Sequence, residues 1–389
     1  MHIAHISTSV TLNQTVFNQM VYQQKRGHRV VALCPDDEWT KPIKYKDIPV
    51  IHAPFLWHNA PASLTSALLR TFLICRQEKF DVVHTHTLLP GLAGRIAARL
   101  AGIPCVVHTF HSWQPHLYKS KAFRWAFNTS EIVASRFAHA ILFQNPDDLR
   151  SWSRIPAIPI SKATLVGNGI DSSAITKKVG VGARERIRQE FGISEDTFVI
   201  ANIARFEPQK GHFFLLQTIN HLIPQVNRRV VVLLVGIGID QEKIEAEVKR
   251  LNLQDTVLFT GYRQDIPDIL AASNVSIMTS HYEGIPRALM ESMALGIPVV
   301  ATDVPGTRSL IRSGQTGLLV EYGNVPSMCE ALVKVLTDHT LASRLGESGR
   351  YLVQTKFNEY AVADRVEEVY RHVLKDKYSP LPQWEIDAG

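Results

Sequence analysis

Long hydrophobic runs are missing from this sequence of 389 residues. A helix needs about 20 consecutive apolar residues to cross a bilayer, and no stretch of that kind is present, so the sequence predicts no membrane-spanning helix. The first residues, MHIAHIS, have neither the basic start nor the long apolar core of a secretory signal, and they are typical of a first β-strand. We therefore expect a cytoplasmic protein.

Cysteine is scarce as well. The four cysteines, Cys34, Cys75, Cys105 and Cys329, form no C-x-x-C pair. This spacing excludes a zinc ribbon, a thioredoxin-like redox motif and a disulfide framework. We expect buried, reduced thiols that pack as small apolar side chains.

Acidic residues are few in the first part of the chain. Residues 1–172 carry 18 basic and 10 acidic side chains, an excess of +8, whereas residues 173–389 carry 24 and 26, which gives −2. A basic half indicates an anionic partner or a membrane surface, or simply a solvated surface with a basic bias. The chain has no basic run with interleaved aromatic residues and no recognisable nucleic-acid-binding motif, which argues against a nucleic-acid partner.

Short apolar runs alternate with helical patterns along most of the chain. The runs are continuously apolar, which is typical of strands in a parallel sheet with helices on both faces. A first series of runs precedes a segment rich in Gly, Asp and Ser around residues 166–173, and a second series follows it. The sequence thus predicts an α/β fold with two Rossmann-like parallel-sheet domains, residues 1–172 and 173–357, and a final helix and tail in residues 358–389.

The segment HYEGIPRALMESMALGIPVVAT, residues 281–302, contains two candidate ligand-binding carboxylates, Glu283 and Glu291. Pro286 suits the first turn of a helix, which places Glu283 in the preceding loop and Glu291 inside the helix. Parallel sheets bind ligands at such loops, where backbone N–H groups point at an anion and carboxylates accept bonds from sugar hydroxyls. Two glutamates on a solvated helix face are the alternative.

Two cations and a glycine follow other predicted strands. Arg205 and Lys210 lie in IARFEPQKGH, between a strand and a helix, where they would neutralise a diphosphate. Gly236, in LLVGIG, permits close approach of the backbone to a nucleotide. The full G-x-G-x-x-G motif is absent, so a nicotinamide cofactor is not supported.

The ordered motifs R-x4-K-G, V-G-x-G, T-G-Y, E-G-x-P-x4-E and G-x-P-V-V-A-T resemble those of the family-4 retaining glycosyltransferases of the GT-B fold. The resemblance covers most of the chain. It implies two Rossmann-like domains that face a cleft, with the acceptor in the first and the sugar nucleotide mainly in the second. It also implies a C-terminal helix that crosses back to the first domain.

The same resemblance implies a role for each matching residue. Arg205 and Lys210 would bind the donor diphosphate, Glu283 would lie near the transferred sugar, and Glu291 would hold the ribose. The loop amides that contact the donor would be those of Gly284, Ile285 and Pro286. No metal and no cofactor are expected, because the two cations replace a metal at the diphosphate and no D-x-D motif is present.

Histidines cluster at the ends of two predicted strands in the first domain, at His84, His86, His108 and His111. The segment HTFHS resembles the position at which the family has a histidine near the reacting sugar, and His111 is the match. It would hydrogen-bond the sugar or shuttle a proton. Zinc ligation, or strand-end imidazoles bonded to the backbone, are the alternatives.

The substrates are predicted by resemblance. The donor would be UDP-N-acetylglucosamine, with GDP-mannose as the alternative. As a whole the chain resembles bacterial enzymes that add N-acetylglucosamine to 2-deoxystreptamine in aminoglycoside-antibiotic assembly, so a small aminocyclitol is the expected acceptor, with Asp147 or Asp148 offsetting its charge.

Other functions stay open. The basic first domain and the basic, aromatic residues 112–127 favour a lipid-linked saccharide, with peripheral contact at the inner face of the membrane. A sugar-nucleotide 2-epimerase and a donor-binding protein without turnover are further alternatives. The combination of Arg205, Lys210, Glu283 and Glu291 argues against both.

Overall fold

The computed structural model describes residues 1–55, 61–113, 120–376 and 379–384. The chain divides into two compact units. Unit 1 contains Met1–Asn168 and the C-terminal segment from Glu359, and unit 2 contains Gly169–Asn358. The domain boundary expected from the sequence lies nearby, after residue 172.

The described residues of unit 1 form seven parallel strands: β1 (His2–Ile6), β2 (Arg29–Cys34), β3 (Val50–His52), β4 (Val82–His86), β5 (Cys105–Phe110), β6 (Ala140–Phe143) and β7 (Ala163–Leu165). They lie in the order β3-β2-β1-β4-β5-β6-β7. The first seven helices belong to this unit: α1 (Ser9–Thr11), α2 (Phe17–Lys25), α3 (Lys41–Tyr45), α4 (Pro61–Glu78), α5 (Leu88–Leu100), α6 (Lys121–Phe137) and α7 (Pro146–Ser153).

Unit 2 contains six parallel strands: β8 (Phe198–Ile203), β9 (Val230–Val235), β10 (Val257–Gly261), β11 (Val275–Met278), β12 (Val299–Thr302) and β13 (Leu318–Val320). Their order is β10-β9-β8-β11-β12-β13. Its helices are α8 (Ser172–Lys177), α9 (Ala183–Glu190), α10 (His212–Leu222), α11 (Gln241–Arg250), α12 (Ile266–Ala271), α13 (Arg287–Ala294), α14 (Pro305–Arg308), α15 (Val325–Thr337) and α16 (His339–Lys356).

The last helix, α17 (Glu359–Lys375), returns to unit 1. It buries Val366, Val369 and Tyr370 in the same apolar cluster as residues of β1, β4, β5 and β6. Arg365 donates to the carbonyl oxygen of Val166 at 2.5 Å. The return of the C-terminal helix to the first domain, expected from the resemblance, is confirmed.

The central strands form because both of their faces are covered. Every residue of β4 and of β5 is buried, and most of them are branched or aromatic, as expected for the middle of a parallel sheet. The helix before β2 ends shortly before Gly27, which lies in the left-handed region at φ 81°. The apolar runs therefore become buried strands because helices pack on both sides of them.

The cysteines are reduced and buried, as the sequence predicts. All four of them are free. Burial raises the pKa of the Cys34 and Cys75 thiols to about 12, so they stay protonated and unreactive at neutral pH. Within the described residues, no helix is long and apolar enough to cross a membrane.

Each sheet has one point at which the strand order changes direction. In unit 1, β1 lies between β2 and β4, and in unit 2, β8 lies between β9 and β11. The connections that follow β1 and β4 leave on opposite faces of the sheet, as do those that follow β8 and β11, and a crevice opens at the carboxyl ends of such a pair of strands. Ligand-binding residues are therefore expected in the loops after β1, β4, β8 and β11.

Candidate active site

The loops that follow β8 and β11 bring two charged side chains together. Lys210 Nζ donates to Glu283 Oε1 at 2.6 Å, and Ser280 Oγ donates to the same oxygen at 2.6 Å. The Lys210 and Glu283 side chains are only 13% and 10% exposed. Lys210 and Glu283, which were both predicted to belong to the site, thus form one ion pair that is largely shielded from water. Ser280 donates to the same carboxylate and was not among the predicted residues.

Close backbone contacts position this pair. A Cβ atom on Gly211 would lie 2.0 Å from the carbonyl oxygen of Thr279, and one on Gly306 would lie 1.2 Å from that of Gly284. Thr279 Oγ1 also donates to the carbonyl oxygen of Lys210 at 3.1 Å. The segment that carries Glu283 is therefore packed directly against the backbone on two sides, at distances that only glycine permits.

Helix α13 begins directly after this segment. Pro286 is its N-cap residue, one position before the first turn in which the sequence analysis placed it, and Ile285 is buried. Glu291 lies inside the helix, as predicted, and its Oε1 accepts a bond from Arg287 Nε at 3.0 Å. The loop thus carries Glu283, the start of the helix carries the backbone amides, and the second turn carries Glu291.

Arg205 and Gly236 follow the neighbouring strands β8 and β9. The Arg205 side chain is 62% exposed and pairs with Glu207 at 2.8 Å. A Cβ atom on Gly236 would lie 2.1 Å from the carbonyl oxygen of Ala204. Gly236 thus lets the loops after β8 and β9 touch, and Arg205 is an exposed cation, unlike the buried Lys210.

The histidines of unit 1 do not group as the sequence analysis expected. His84, His86 and His111 do lie together, joined by His5 of β1, with ring centroids 4.2 to 5.4 Å apart between neighbours. His108 points to the other face of the sheet, where its Nδ1 contacts a threonine hydroxyl of β4 at 2.8 Å. The grouping of His108 with the others is wrong because successive residues of a strand face opposite sides.

His111 is half-buried and held by two neighbours. Its Nδ1 accepts a bond from the Gln144 amide at 3.1 Å, and its Nε2 contacts His86 Nδ1 at 3.2 Å. Burial lowers the pKa of His111 to about 4. At neutral pH the ring is therefore uncharged and suited to hydrogen bonding rather than to neutralising a phosphate.

The two carboxylates expected to offset a cationic acceptor have other partners. Asp148 is buried, and its Oδ2 accepts bonds from the Trp113 backbone N–H at 2.9 Å and from Asn145 Nδ2 at 2.8 Å. Burial raises the pKa of Asp148 to about 7. Asp147 pairs with Arg150 at 2.5 Å. Asp148 thus holds the chain after β5 in place instead of facing an acceptor.

Comparisons with known proteins agree with this geometry. Residues 183–351 match the family described as "Glycosyl transferases group 1", and residues 11–169 match the "Glycosyl transferase 4-like domain". The UDP-Gal:alpha-D-GlcNAc-diphosphoundecaprenol alpha-1,3-galactosyltransferase of Escherichia coli is 29% identical over 80% of each chain. The alpha-D-kanosaminyltransferase of Streptomyces kanamyceticus is 25% identical over 79% of this chain and 81% of its own.

A solved structure shares the fold. Anabaena Alr3699/HepE, in complex with UDP and glucose, superposes with a TM-score of 0.82 at 20% identity, over 95% of this chain and 98% of its own. The fold and the matched regions define a nucleotide-sugar-dependent glycosyltransferase. Its fold is GT-B, and its two halves each match one of these two glycosyltransferase domain descriptions.

Mild acid is expected to unfold unit 1. Burial lowers the pKa of His5 to about 4 and those of His84, His86 and His108 well below the ordinary value of 6.5. As the pH falls from 6.5 towards 4, the unfolded chain binds protons that the native state excludes, so each of these histidines lowers the stability by roughly 1.4 kcal/mol per pH unit.

Urea unfolding followed by circular dichroism at pH 8, 7, 6 and 5 measures this effect. The free energy of unfolding should be nearly constant above pH 7 and fall steeply below pH 6.5. A stability that stays level down to pH 5 would show that these imidazoles accept protons in the folded protein.

Proposed function

We propose that this protein is a retaining glycosyltransferase that moves a sugar from a UDP-sugar to an acceptor hydroxyl. The observation that carries the proposal is the Lys210–Glu283 pair, 2.6 Å apart and almost buried at the carboxyl end of the unit 2 sheet. Transfer from a nucleoside diphosphate needs a fixed cation for the leaving phosphate and acceptors for the sugar hydroxyls. This pair provides one of each at the same place.

The other residues complete the proposed site. Unit 2 (residues 173–357 in the sequence analysis) binds the nucleotide sugar, and unit 1 (residues 1–172) binds the acceptor. Arg205 is the second cation for the diphosphate, Glu291 accepts from the ribose, and His111 hydrogen-bonds the transferred sugar. The backbone contacts to the donor come from Gly236, Gly284, Ile285 and Pro286.

A transfer assay with labelled nucleotide sugars tests this function. UDP-N-acetylglucosamine, UDP-galactose and GDP-mannose should be offered in parallel, since the Escherichia coli relative is named for UDP-Gal and the Anabaena structure contains UDP. We expect transfer from UDP-N-acetylglucosamine with retention at the anomeric carbon, measured by NMR of the product. An epimerised nucleotide would indicate the 2-epimerase, and binding without any product would indicate a donor-binding protein.

Transfer is expected to be independent of divalent metal. Lys210 and Arg205 supply the positive charge that a metal would otherwise place at the diphosphate. Initial rates with EDTA should match those with Mg²⁺ or Mn²⁺. Loss of activity in EDTA, restored by adding either metal back, would mean that the two cations do not neutralise the leaving group by themselves.

For the acceptor, we propose a saccharide linked to a lipid at an anionic membrane. The helix layer α4–α5–α6 of unit 1 exposes Leu69, Leu73 and Trp125, the last at 71%. These three helices contain only two acidic residues, Glu78 and Glu131, and Glu131 is buried against Arg95. The name of the Escherichia coli relative includes a diphosphoundecaprenol-linked acceptor. The same helices expose the basic side chains of Arg70, Arg76 and Lys121. An outer surface that combines apolar and basic side chains and has few acidic ones suits anionic lipid.

The Trp125→Ala variant is expected to weaken binding to vesicles that contain anionic lipid. Removing an exposed indole that enters the interface should reduce the vesicle-bound fraction about tenfold. The matched control is Tyr351→Ala, which removes an aromatic ring equally exposed at 71% in unit 2. Co-sedimentation at low and high salt gives the measurement. Equal binding by both variants, or no binding by the wild type, would contradict the membrane surface.

A small aminocyclitol acceptor is the second candidate. The match to a kanosaminyltransferase supports it, as does the resemblance of the sequence to aminoglycoside-assembly enzymes. Free 2-deoxystreptamine and polyprenyl-linked N-acetylglucosamine should be compared as acceptors in the same assay. Transfer to the free aminocyclitol alone would establish the soluble acceptor and remove the need for a membrane surface.

A further inference from the structure

A continuous chain of hydrogen bonds runs from His111 into the interior of unit 1. Gln144 Nε2 contacts His111 Nδ1 at 3.1 Å, and His111 Nε2 contacts His86 Nδ1 at 3.2 Å. His86 Nε2 contacts His5 Nδ1 at 3.1 Å, and His5 Nε2 contacts Gln23 Oε1 at 2.8 Å. Three imidazoles are thus linked in series between two amides, that of Gln144 directly after β6 and that of Gln23 in helix α2.

The two amide ends determine the direction of every bond in this chain. An amide nitrogen can only donate and an amide oxygen can only accept, whereas a neutral imidazole donates from one nitrogen and accepts at the other. Gln144 donates to His111 Nδ1, so the proton of His111 is on Nε2 and is donated to His86. The same reasoning places the proton of His86 and of His5 on Nε2, and Gln23 accepts the last bond. All four links are satisfied with each ring neutral.

Two of these imidazoles, together with His84, resemble a metal site, but their hydrogen bonds argue against one. The ligand atoms of His5, His84 and His86 all lie within 4.8 Å of one another. Both nitrogens of His5 and of His86 are engaged in the chain, and those of His84 contact Tyr370 at 2.5 Å and Thr109 at 2.7 Å. A metal would have to displace protein partners from each of these buried rings.

We propose that His86, His5 and Gln23 are positioning residues that fix the tautomer and orientation of His111. This inference rests on the proposed function, in which His111 contacts the transferred sugar. With its proton held on Nε2, the ring has a single acceptor atom, Nδ1. A sugar hydroxyl can replace Gln144 there without reversing any other link, because the hydroxyl donates as the amide does. Gln144 thus occupies the place of the substrate hydroxyl in the free protein.

Two substitutions of His86 separate positioning from proton transfer. In His86→Gln, the amide oxygen can accept from His111 Nε2 and the amide nitrogen can donate to His5 Nδ1, which preserves the direction of the chain without any ability to relay a proton. His86→Phe keeps a ring of similar size and leaves both neighbours without a partner. We expect kcat within about threefold of wild type for His86→Gln and at least about tenfold lower for His86→Phe.

A buried control reports the cost of changing any histidine in this sheet. His108→Gln alters an imidazole that is equally buried but lies on the other face of β5, outside the chain. Its stability is measured beside that of the two His86 variants. A fall in kcat for His108→Gln equal to that of His86→Phe would mean that unit 1 is merely perturbed, and it would overturn the proposal.

The tautomers can be observed without any assay of transfer. Long-range ¹H–¹⁵N correlation spectra of the protein labelled at histidine should show the proton on Nε2 for His5, His86 and His111 at pH 7. His111 should keep this state in His86→Gln and populate both tautomers in His86→Phe. Protons on Nδ1, or mixed tautomers in the wild type, would overturn the proposal even if transfer is normal.

Three further outcomes keep this test independent of the proposed function. If the spectra are as expected and no glycosyl transfer occurs with any donor, the chain stands and the proposed function fails. If His86→Gln keeps the His111 tautomer but is as inactive as His86→Phe, the chain relays protons and the positioning role is overturned. If the wild type takes up one equivalent of Zn²⁺ and His86→Gln does not, His5, His84 and His86 are metal ligands and the proposal is also overturned.

Discussion

The Lys210→Ala variant is expected to lower kcat by about 100-fold or more. The ammonium lies 2.6 Å from Glu283 and is almost buried, so it acts in surroundings where water screens its charge weakly. Its removal takes away a fixed charge at the leaving diphosphate, and it also leaves the carboxylate of Glu283 with Ser280 as its neighbour and no cation. Initial rates at saturating donor and acceptor measure the loss.

The matched control is Lys243→Ala. Lys243 is also in unit 2 and also pairs with a carboxylate, Asp240, at 2.7 Å, but its side chain is 70% exposed. Water screens the charge of this exposed ammonium, so the activity of the variant should stay within about twofold of wild type. Near-normal kcat in Lys210→Ala would show that the diphosphate binds elsewhere.

Arg205→Ala is expected to lose turnover to a similar extent, since Arg205 is the second cation at the proposed diphosphate. Arg205 starts from an exposed position beside Glu207, so it has to leave that partner when the donor binds. The loss should therefore appear in KM for the donor as well as in kcat. If only Lys210→Ala loses activity and Arg205→Ala does not, then Lys210 alone contacts the diphosphate.

The Gly306→Ala variant is expected to abolish most of the activity, by about 100-fold, although Gly306 is not proposed to touch the substrate. The added methyl group would lie 1.2 Å from the carbonyl oxygen of Gly284 and 2.6 Å from that of Glu283. Both obstacles are backbone atoms, so the loop that carries Glu283 has to move by an ångström or more. A displacement of that size separates a catalytic group from its reaction geometry.

The control for this substitution is Gly180→Ala. Gly180 also lies in unit 2, but the nearest atom to its added methyl group belongs to the flexible end of the Arg186 side chain, which can move aside. Thermal unfolding of both variants shows how much of the loss of activity results from a less stable fold. Full activity in Gly306→Ala would mean that the Glu283 loop tolerates displacement and is not part of the active site.

Local patterns predicted most of the fold, and the exceptions have physical reasons. The longer strands β1, β2, β4 and β5 coincide with apolar runs that are long enough to be distinguished from loops in the sequence. The short strands β3 and β7 cannot be distinguished in this way. Each has three residues, and these become strands only because a neighbouring strand already offers free backbone groups.

The candidate site could be predicted as a set of residues, but its contacts could not. Spaced motifs identified Lys210 and Glu283, which are 73 positions apart, yet the bond between them depends on how two loops pack. His5 was overlooked because nothing near it in the sequence has a recognisable function. Its place beside His84 follows from the pairing of β1 with β4, in which these two residues face each other.

The return of α17 to unit 1 has a consequence for synthesis on the ribosome. Val369, Tyr370 and Val373 are translated after the whole of Gly169–Asn358, yet they belong to the same apolar cluster as Ile3 and Val82. Unit 2, by contrast, is one continuous stretch, Gly169–Asn358. Vectorial synthesis usually lets the N-terminal domain fold first. Here we expect the reverse order, because unit 2 can complete its core before α17, which the core of unit 1 needs, has been translated.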